Sequence, residues 1–198
     1  LYNKEHFKDL NYIKHALKFC KDQKVVIISH YPPIFIKKNK DFSTTYNNDV
    51  NFATAYGLSP RPRLDLMIND FCWQAIHQRY LVVYEKHFRR TFIHVLDIAR
   101  AIVHMLECFD TLEHNVFNVG HESLNFTKED IVKLIKKRVD FLVYFAEFGK
   151  DEDRRDYEVD YSRIRSTGFE VNVNIEQGLS ELTNGLRLLE IRNPYGNV

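Results

Sequence analysis

Residues 88–105, Phe-Arg-Arg-Thr-Phe-Ile-His-Val-Leu-Asp-Ile-Ala-Arg-Ala-Ile-Val-His-Met, place a strand and a helix back to back with no loop between them. The first part reads as a short strand over 91–95, entered through the pair Arg89 and Arg90. A helix then runs from Asp97 to about Glu107, with Ile98, Ala101, Ile102 and Met105 recurring at helical spacing. Asp97 lies in the first helical turn, where a negative charge meets the positive end of the helix dipole. A strand that feeds a helix directly belongs to an architecture in which the two are layered on one another.

The rest of the chain repeats this alternation. Residues 5–22 read as an amphipathic helix, with Phe7, Leu10, Ile13, Leu17 and Cys20 on one face. A buried-looking strand follows over 25–29, then His30-Tyr-Pro-Pro, whose prolines stop regular structure. Residues 36–50 are polar and without period; they read as a loop and as the boundary between a segment 1–50 and a unit 51–198. Beyond it come a strand over 52–56 ending at Gly57, a loop carrying Arg61 and Arg63, and a helix over 64–78. That helix has an apolar stripe of Leu64, Met67, Ile68, Phe71, Cys72 and Ile76. Strands are expected over 80–84, 116–119 and 141–144. Thr127-Lys-Glu-Asp130 has the spacing of a capping box and opens a helix to about Arg138. A strand-turn over 157–160, a short helix over 161–165 and a helix capped by Asn174 and running to about Glu190 complete the chain. The expected class is α/β.

Composition narrows the function classes. Of 198 residues, 44% are hydrophobic and 14% aromatic, which suits a packed core rather than disorder. A net charge of +1 offers no general attraction to nucleic acid or to an anionic membrane. No apolar run approaches a membrane span, and residues 1–21 are charged throughout, unlike a secretory leader. Three scattered cysteines (Cys20, Cys72, Cys108) without Cys-x-x-Cys suggest reduced thiols in a cytoplasmic setting. The nine histidines include no His-Glu-x-x-His and no close His/Cys set, so a zinc site is not expected.

Four blocks, in order, resemble the extended short-chain dehydrogenase/reductases, the NAD-dependent sugar-nucleotide epimerases and dehydratases. Residues 90–101 (Arg-Thr-Phe-Ile-His-Val-Leu-Asp-Ile-Ala-Arg-Ala) are similar to that family's R-D-Y-I-H-V-x-D-x-A-x-A signature. Residues 53–60 (Ala-Thr-Ala-Tyr-Gly-Leu-Ser-Pro) resemble its N-V-Y-G-P strand and loop, and residues 116–120 (Val-Phe-Asn-Val-Gly) its Y-N-V-G strand. Residues 155–164, followed by Gly168-Phe169, resemble its closing R-x-x-x-x-D-x-S-K-I…G-F pattern. The resemblance implies that residues 51–198 form one wall of a site for a UDP-, GDP- or dTDP-sugar. Arginine suits a pyrophosphate because its planar fork donates to two oxygens together. By resemblance Arg90 takes one such contact and Arg155, or Arg154 in its place, another; Arg61 and Arg63 are lesser candidates. Thr54 stands where the family often has a substrate-contacting Asn. His94 and Asp97 are assigned to structure, and Phe71, Trp73 and Phe92 to the core.

Two elements of the family's chemistry are absent. None of the seven glycines stands in a Gly-x-x-Gly-x-x-Gly turn, which lets backbone approach the NAD pyrophosphate. None of the eleven tyrosines has Lys four positions on, the pair that makes tyrosine an acid/base. The expected architecture is therefore an incomplete Rossmann-like one that lacks the glycine-rich first half: a substrate-binding portion not catalytic alone, with NAD expected for the family but not for this chain. A homo-oligomer is compatible with this, and nucleic acid and membrane are not expected partners.

The first fifty residues differ in kind. Residues 24–33 (Lys-Val-Val-Ile-Ile-Ser-His-Tyr-Pro-Pro) resemble the strand-loop of calcineurin-like metallophosphoesterases, in which a histidine at the position of His30 ligates one of two metals. The other ligand motifs of that family are absent, so a bound metal is not expected. A fusion with such a fragment, and a non-catalytic interaction or oligomerisation module, are the alternative functions. A third explanation of residues 1–50 is that they supply a strand and a helix to the edge of the second unit.

Overall fold

The computed structural model describes residues 47–112, 116–147, 159–191 and Asn193, with the strand at 25–29 and helical positions His15, Lys18 and Phe19; for 25–29 and 47–51 it describes the backbone. The strands are β1 (Val25–Ser29), β2 (Asn47–Phe52), β3 (Thr54–Tyr56), β4 (Tyr80–Tyr84), β5 (Arg89–His94), β6 (Val116–Val119), β7 (Asn125–Thr127) and β8 (Leu142–Ala146). The helices are α1 (Met67–Trp73), which runs on into a π turn at Gln74–Gln78, α2 (Val95–Glu107), α3 (Lys128–Lys136), α4 (Ser162–Arg165) and α5 (Ile175–Leu188).

Three small sheets carry the described chain. β2 lies between β1 and β6, parallel to both; β4 pairs parallel with β8; β5 lies between β3, parallel, and β7, antiparallel. The α/β class is the one expected, and the parallel pairs β2–β6, β3–β5 and β4–β8 each have a helix in the chain between their two strands, as parallel strands require.

Three expectations need correction. Residues 47–50, read as loop, are the first part of β2, so this strand crosses position 50 and ties β1 to β6. The strand expected over 52–56 is two strands in two sheets. The Ala53 N–H still donates to the Val119 carbonyl at 3.1 Å, and from Thr54 on the chain pairs with β5 instead. The helix expected over 64–78 begins at Met67 and is wide at its end, where the Arg79 N–H reaches back five residues to the Gln74 carbonyl at 3.0 Å.

Elsewhere, local chemistry sets the ends where expected. At α3 the Thr127 hydroxyl accepts from the Asp130 N–H while the Asp130 carboxylate accepts from the Thr127 N–H; Asn174 and Gln177 do the same at α5. Of the helix expected over 5–22, His15, Lys18 and Phe19 are helical, and its apolar face lies outside the described residues. Tyr157 and Glu158 of the expected strand-turn are likewise outside them, and Val159 and Asp160 have no regular structure.

β5 divides the interior. Phe92 on one face joins a cluster with Tyr56, Leu64, Ile68, Phe71, Trp73, Leu81 and apolar residues of α3 and α5. Ile93 on the other joins Ala101, Met105, Phe117, Val119, Tyr161, Ile164 and Phe169. From Arg90 to His94 every residue of β5 is buried, because alternate side chains point into two different cores. The expected core residues Phe71, Trp73 and Phe92 are in it.

Candidate functional site

The polar interior of the protein gathers where β5 becomes α2. Arg90, Thr91, His94 and Asp97 are at most 4% exposed. Arg90 and His94 share the Phe92 face, and Thr54 and Tyr56 of β3 stand in register with Phe92 and His94. Arg90 and Thr54 are thus brought onto one face of one sheet, a strand position apart. On the other face the Thr91 hydroxyl hydrogen-bonds the Tyr161 hydroxyl.

His94 ends β5 and caps α2. Its Nδ1 accepts from the Leu96 N–H at 3.3 Å, which leaves the proton of the neutral ring on Nε2. Nε2 has the Glu181 carboxylate 3.5 Å away and packs on Gly57, while the Tyr56 ring meets the imidazole edge-on at 5.2 Å. Burial holds the His94 pKa below the ordinary 6.5, against the pull of Glu181 and Asp97. The sign follows: the native state holds His94 neutral while the unfolded chain protonates near 6.5. Its contribution to stability is complete above that pH and is lost as pH falls from there towards the folded-state pKa. Urea unfolding at stepped pH should show this loss below 6.5, with a shallower slope in His94→Gln; parallel profiles for the two proteins would refute it.

Asp97 is wholly buried. One carboxylate oxygen accepts from the Asn172 N–H at 3.0 Å and Arg100 Nη1 at 2.6 Å, and the other from the Val173 N–H at 2.9 Å. It ties the start of α2 to the segment that leads into α5. This agrees with the structural role expected of it, as the buried, capping position of His94 does for that residue. The same closing segment is fastened to β6 by Arg163, which donates to the Val116 carbonyl at 2.9 Å.

The remaining sequence candidates are dispersed. Arg63 lies in the exposed loop before α1 with its guanidinium forked onto Asp65, Nε to Oδ1 at 2.7 Å, and this pairing holds the Asp65 carboxyl below its ordinary range. Arg61 is exposed in the same loop. Arg154, Arg155 and His30 lie outside the described residues. One sequence inference is corrected. His104 and Cys108, four apart at the end of α2, form a close His/Cys pair with Nδ1 and Sγ 3.8 Å apart. Their i, i+4 spacing puts both on one helix face and could have been read directly. Among the described residues no three His, Cys, Asp or Glu side chains are grouped to hold a metal.

A dinucleotide needs glycines whose open side faces a phosphate. Of the described glycines, Gly57, Gly120, Gly178 and Gly185 have that side filled, since a Cβ there would meet His94, Tyr161, Tyr56 and Leu58, all under 3 Å, whereas Gly168 has open space there. Those four glycines serve the packing of this chain. The side chain of Asn125 in β7 buries its Oδ1 without a hydrogen-bond partner, beside Thr91 in the β5–β7 register.

The chain matches no model of a known protein family. Its fold is shared with several solved enzymes. MoeE5 in complex with UDP-glucose and NAD is 21% identical with a TM-score of 0.61, the match covering 72% of this chain and 47% of that one. The UDP-glucose 4-epimerase of Thermotoga maritima, with UDP-glucose, is 21% identical with a TM-score of 0.62, over 72% of this chain and 46% of that one. The dTDP-glucose 4,6-dehydratase of Bacillus anthracis, with NAD, is 16% identical with a TM-score of 0.67, over 90% of this chain and 66% of that one. The chain spans about half the length of the first two. The 90% match extends into the first fifty residues, in keeping with β1 as a strand of the same sheet as β6. At these identities the likeness is one of fold alone, and the shared α/β fold is of the class expected.

Proposed function

We propose that the chain is the sugar-nucleotide-binding portion of an epimerase- or dehydratase-type enzyme, and that it does no hydride chemistry on its own. The observation that carries this is Arg90: a cation 4% exposed, on the same sheet face as Thr54, in the strand that leads to α2. The two oxygens of a pyrophosphate suit a guanidinium fork. Neighbours in the same fold carry UDP-glucose, which makes a UDP-sugar the first ligand to try and GDP- and dTDP-sugars the next. Arg155, or Arg154, is the second pyrophosphate contact in this proposal, with Thr54 towards the sugar. Arg61 is a peripheral contact, and Arg63 becomes one only on leaving Asp65. The turnover chemistry then belongs to a segment bearing the glycine-rich turn and the Tyr-x-x-x-Lys pair, and the setting is the cytoplasm. Among the described residues no helix is long and apolar enough to cross a membrane.

A thermal-shift panel tests this with UDP-glucose, GDP-mannose, dTDP-glucose and NAD. A ligand at a hundredfold its Kd stabilises by about 2.7 kcal/mol, which raises Tm by about 5–10 °C in a chain of this size. One nucleotide sugar is expected to do so and NAD is not. Stabilisation by NAD with none by any nucleotide sugar would overturn the proposal.

A further inference from the structure

A cavity of about 360 Å³ opens between the end of α2 and α4, away from the Arg90 face. Cys108, Thr111, Leu112, Phe117, Arg163 and Thr167 line it. Its volume lies in the range of small-ligand pockets. The half-buried Cys108 thiol meets His104 Nδ1 at 3.8 Å, and His104 Nε2 meets the Thr167 hydroxyl at 2.8 Å. The tautomer follows from the next link. The Thr167 hydroxyl donates its one proton to the Ile164 carbonyl at 2.6 Å, so towards His104 it accepts. The imidazole therefore carries its hydrogen on Nε2 and turns the lone pair of Nδ1 towards the thiol. This is the order nucleophile, base, orienting group.

We propose that Cys108 is a nucleophilic thiol in a pocket for small carboxylate-bearing disulfides of the glutathione type, with His104 as its base and Thr167 as the group that positions the base. Cys108 caps the C-terminus of α2, where the helix dipole disfavours a negative sulfur, so proton removal needs a local acceptor. In the reaction Sγ attacks one sulfur of the incoming disulfide, whose S–S bond breaks as the new one forms. The thiol proton passes to His104 Nδ1, and the other half leaves as a thiolate that can take that proton back. The disulfide itself is the only oxidant. The exposed Arg163 supplies a positive charge at the mouth for a carboxylate, while Leu112 and Phe117 offer an apolar wall. Cys72 does not compete: it is wholly buried, and burial pushes its thiol up out of the reactive range.

The test is incubation of the whole chain with glutathione disulfide, followed by peptide mapping of the adduct over time. Cys108 is expected to acquire one glutathionyl group at least about tenfold faster in the folded protein than in urea. His104→Asn should abolish that advantage, a modest share of what a positioned base contributes. Thr167→Val should slow the reaction and Thr167→Ser restore it, which a merely structural role of the hydroxyl would not produce when both variants melt alike. A folded-state rate at Cys108 no greater than that in urea would overturn the proposal. So would a rate indifferent to both His104→Asn and Thr167→Val.

Discussion

Asp97→Ala is expected to destabilise the protein by about 3 kcal/mol or more, because a hydrogen bond to a charged group contributes about 1.5–3 kcal/mol and this change removes two that a wholly buried carboxylate accepts from backbone. The two donors are the N–H groups of Asn172 and Val173, 75 and 76 positions further along the chain, which have the carboxylate as their acceptor. Arg100 loses one partner as well, but it keeps the Glu170 carbonyl at 3.2 Å, and with its side chain 43% exposed water can replace much of the lost contact. With whole-domain stabilities of about 5–15 kcal/mol, such a loss shows as a large fall in the urea midpoint. Asp97→Asn keeps one accepting oxygen and should lose less. A catalytic Asp97 would behave in the opposite way, with activity lost and stability kept. An unchanged urea midpoint for Asp97→Ala would refute the structural assignment.

Gly57→Ala should be nearly as damaging, at about 3 kcal/mol, from backbone strain plus overpacking. The residue sits at φ +120°, which side chains on an L-residue rarely adopt, and its Cβ would fall 2.4 Å from His94 Nε2. The two parts are separable by a double-mutant cycle. Adding His94→Ala makes room for the methyl group but leaves the strain, so the pair should be coupled, with the Gly57→Ala penalty smaller in the His94→Ala background. Additive free energies would mean that the close approach of β3 to the imidazole is not what requires glycine there.

How much of this was legible in the sequence depended on how local its cause is. β1, β4 and β6 lie where their apolar runs end, and Thr127 and Asn174 start helices because each caps through residues three positions on. Position 53 could not be found in this way. Phe52-Ala-Thr-Ala-Tyr56 has one strand-like pattern, yet it changes sheets at Ala53 because β6 lies on one side and β5 on the other. The polar run 47–50 hid a strand because β2 pairs with β1 and β6 on both sides, so its backbone bonds rather than an apolar pattern define it. The strand-to-helix unit announced itself through its change of period, but its burial on both faces did not. That depends on α5 and the closing segment, contributed from far along the chain. For the same reason the removal of Arg90 from solvent could not be foreseen. The Cys108–His104–Thr167 chain is half local: the i, i+4 pair was there to be read, and the hydroxyl that orients it comes from a turn some sixty residues on.

Arg90 is the centre of the functional proposal, and calorimetric titration of the chain with UDP-glucose, and then with the GDP- and dTDP-sugars, tests it most directly. Saturable binding of one nucleotide sugar without NAD is expected, weakened by about 2–5 kcal/mol in Arg90→Ala, as is usual when one partner of a buried, hydrogen-bonded charge pair is removed. Thermal melting of Arg90→Ala separates loss of the site from loss of the fold. Binding equal in the two proteins, or no binding of any nucleotide sugar to a folded wild-type chain, would contradict it.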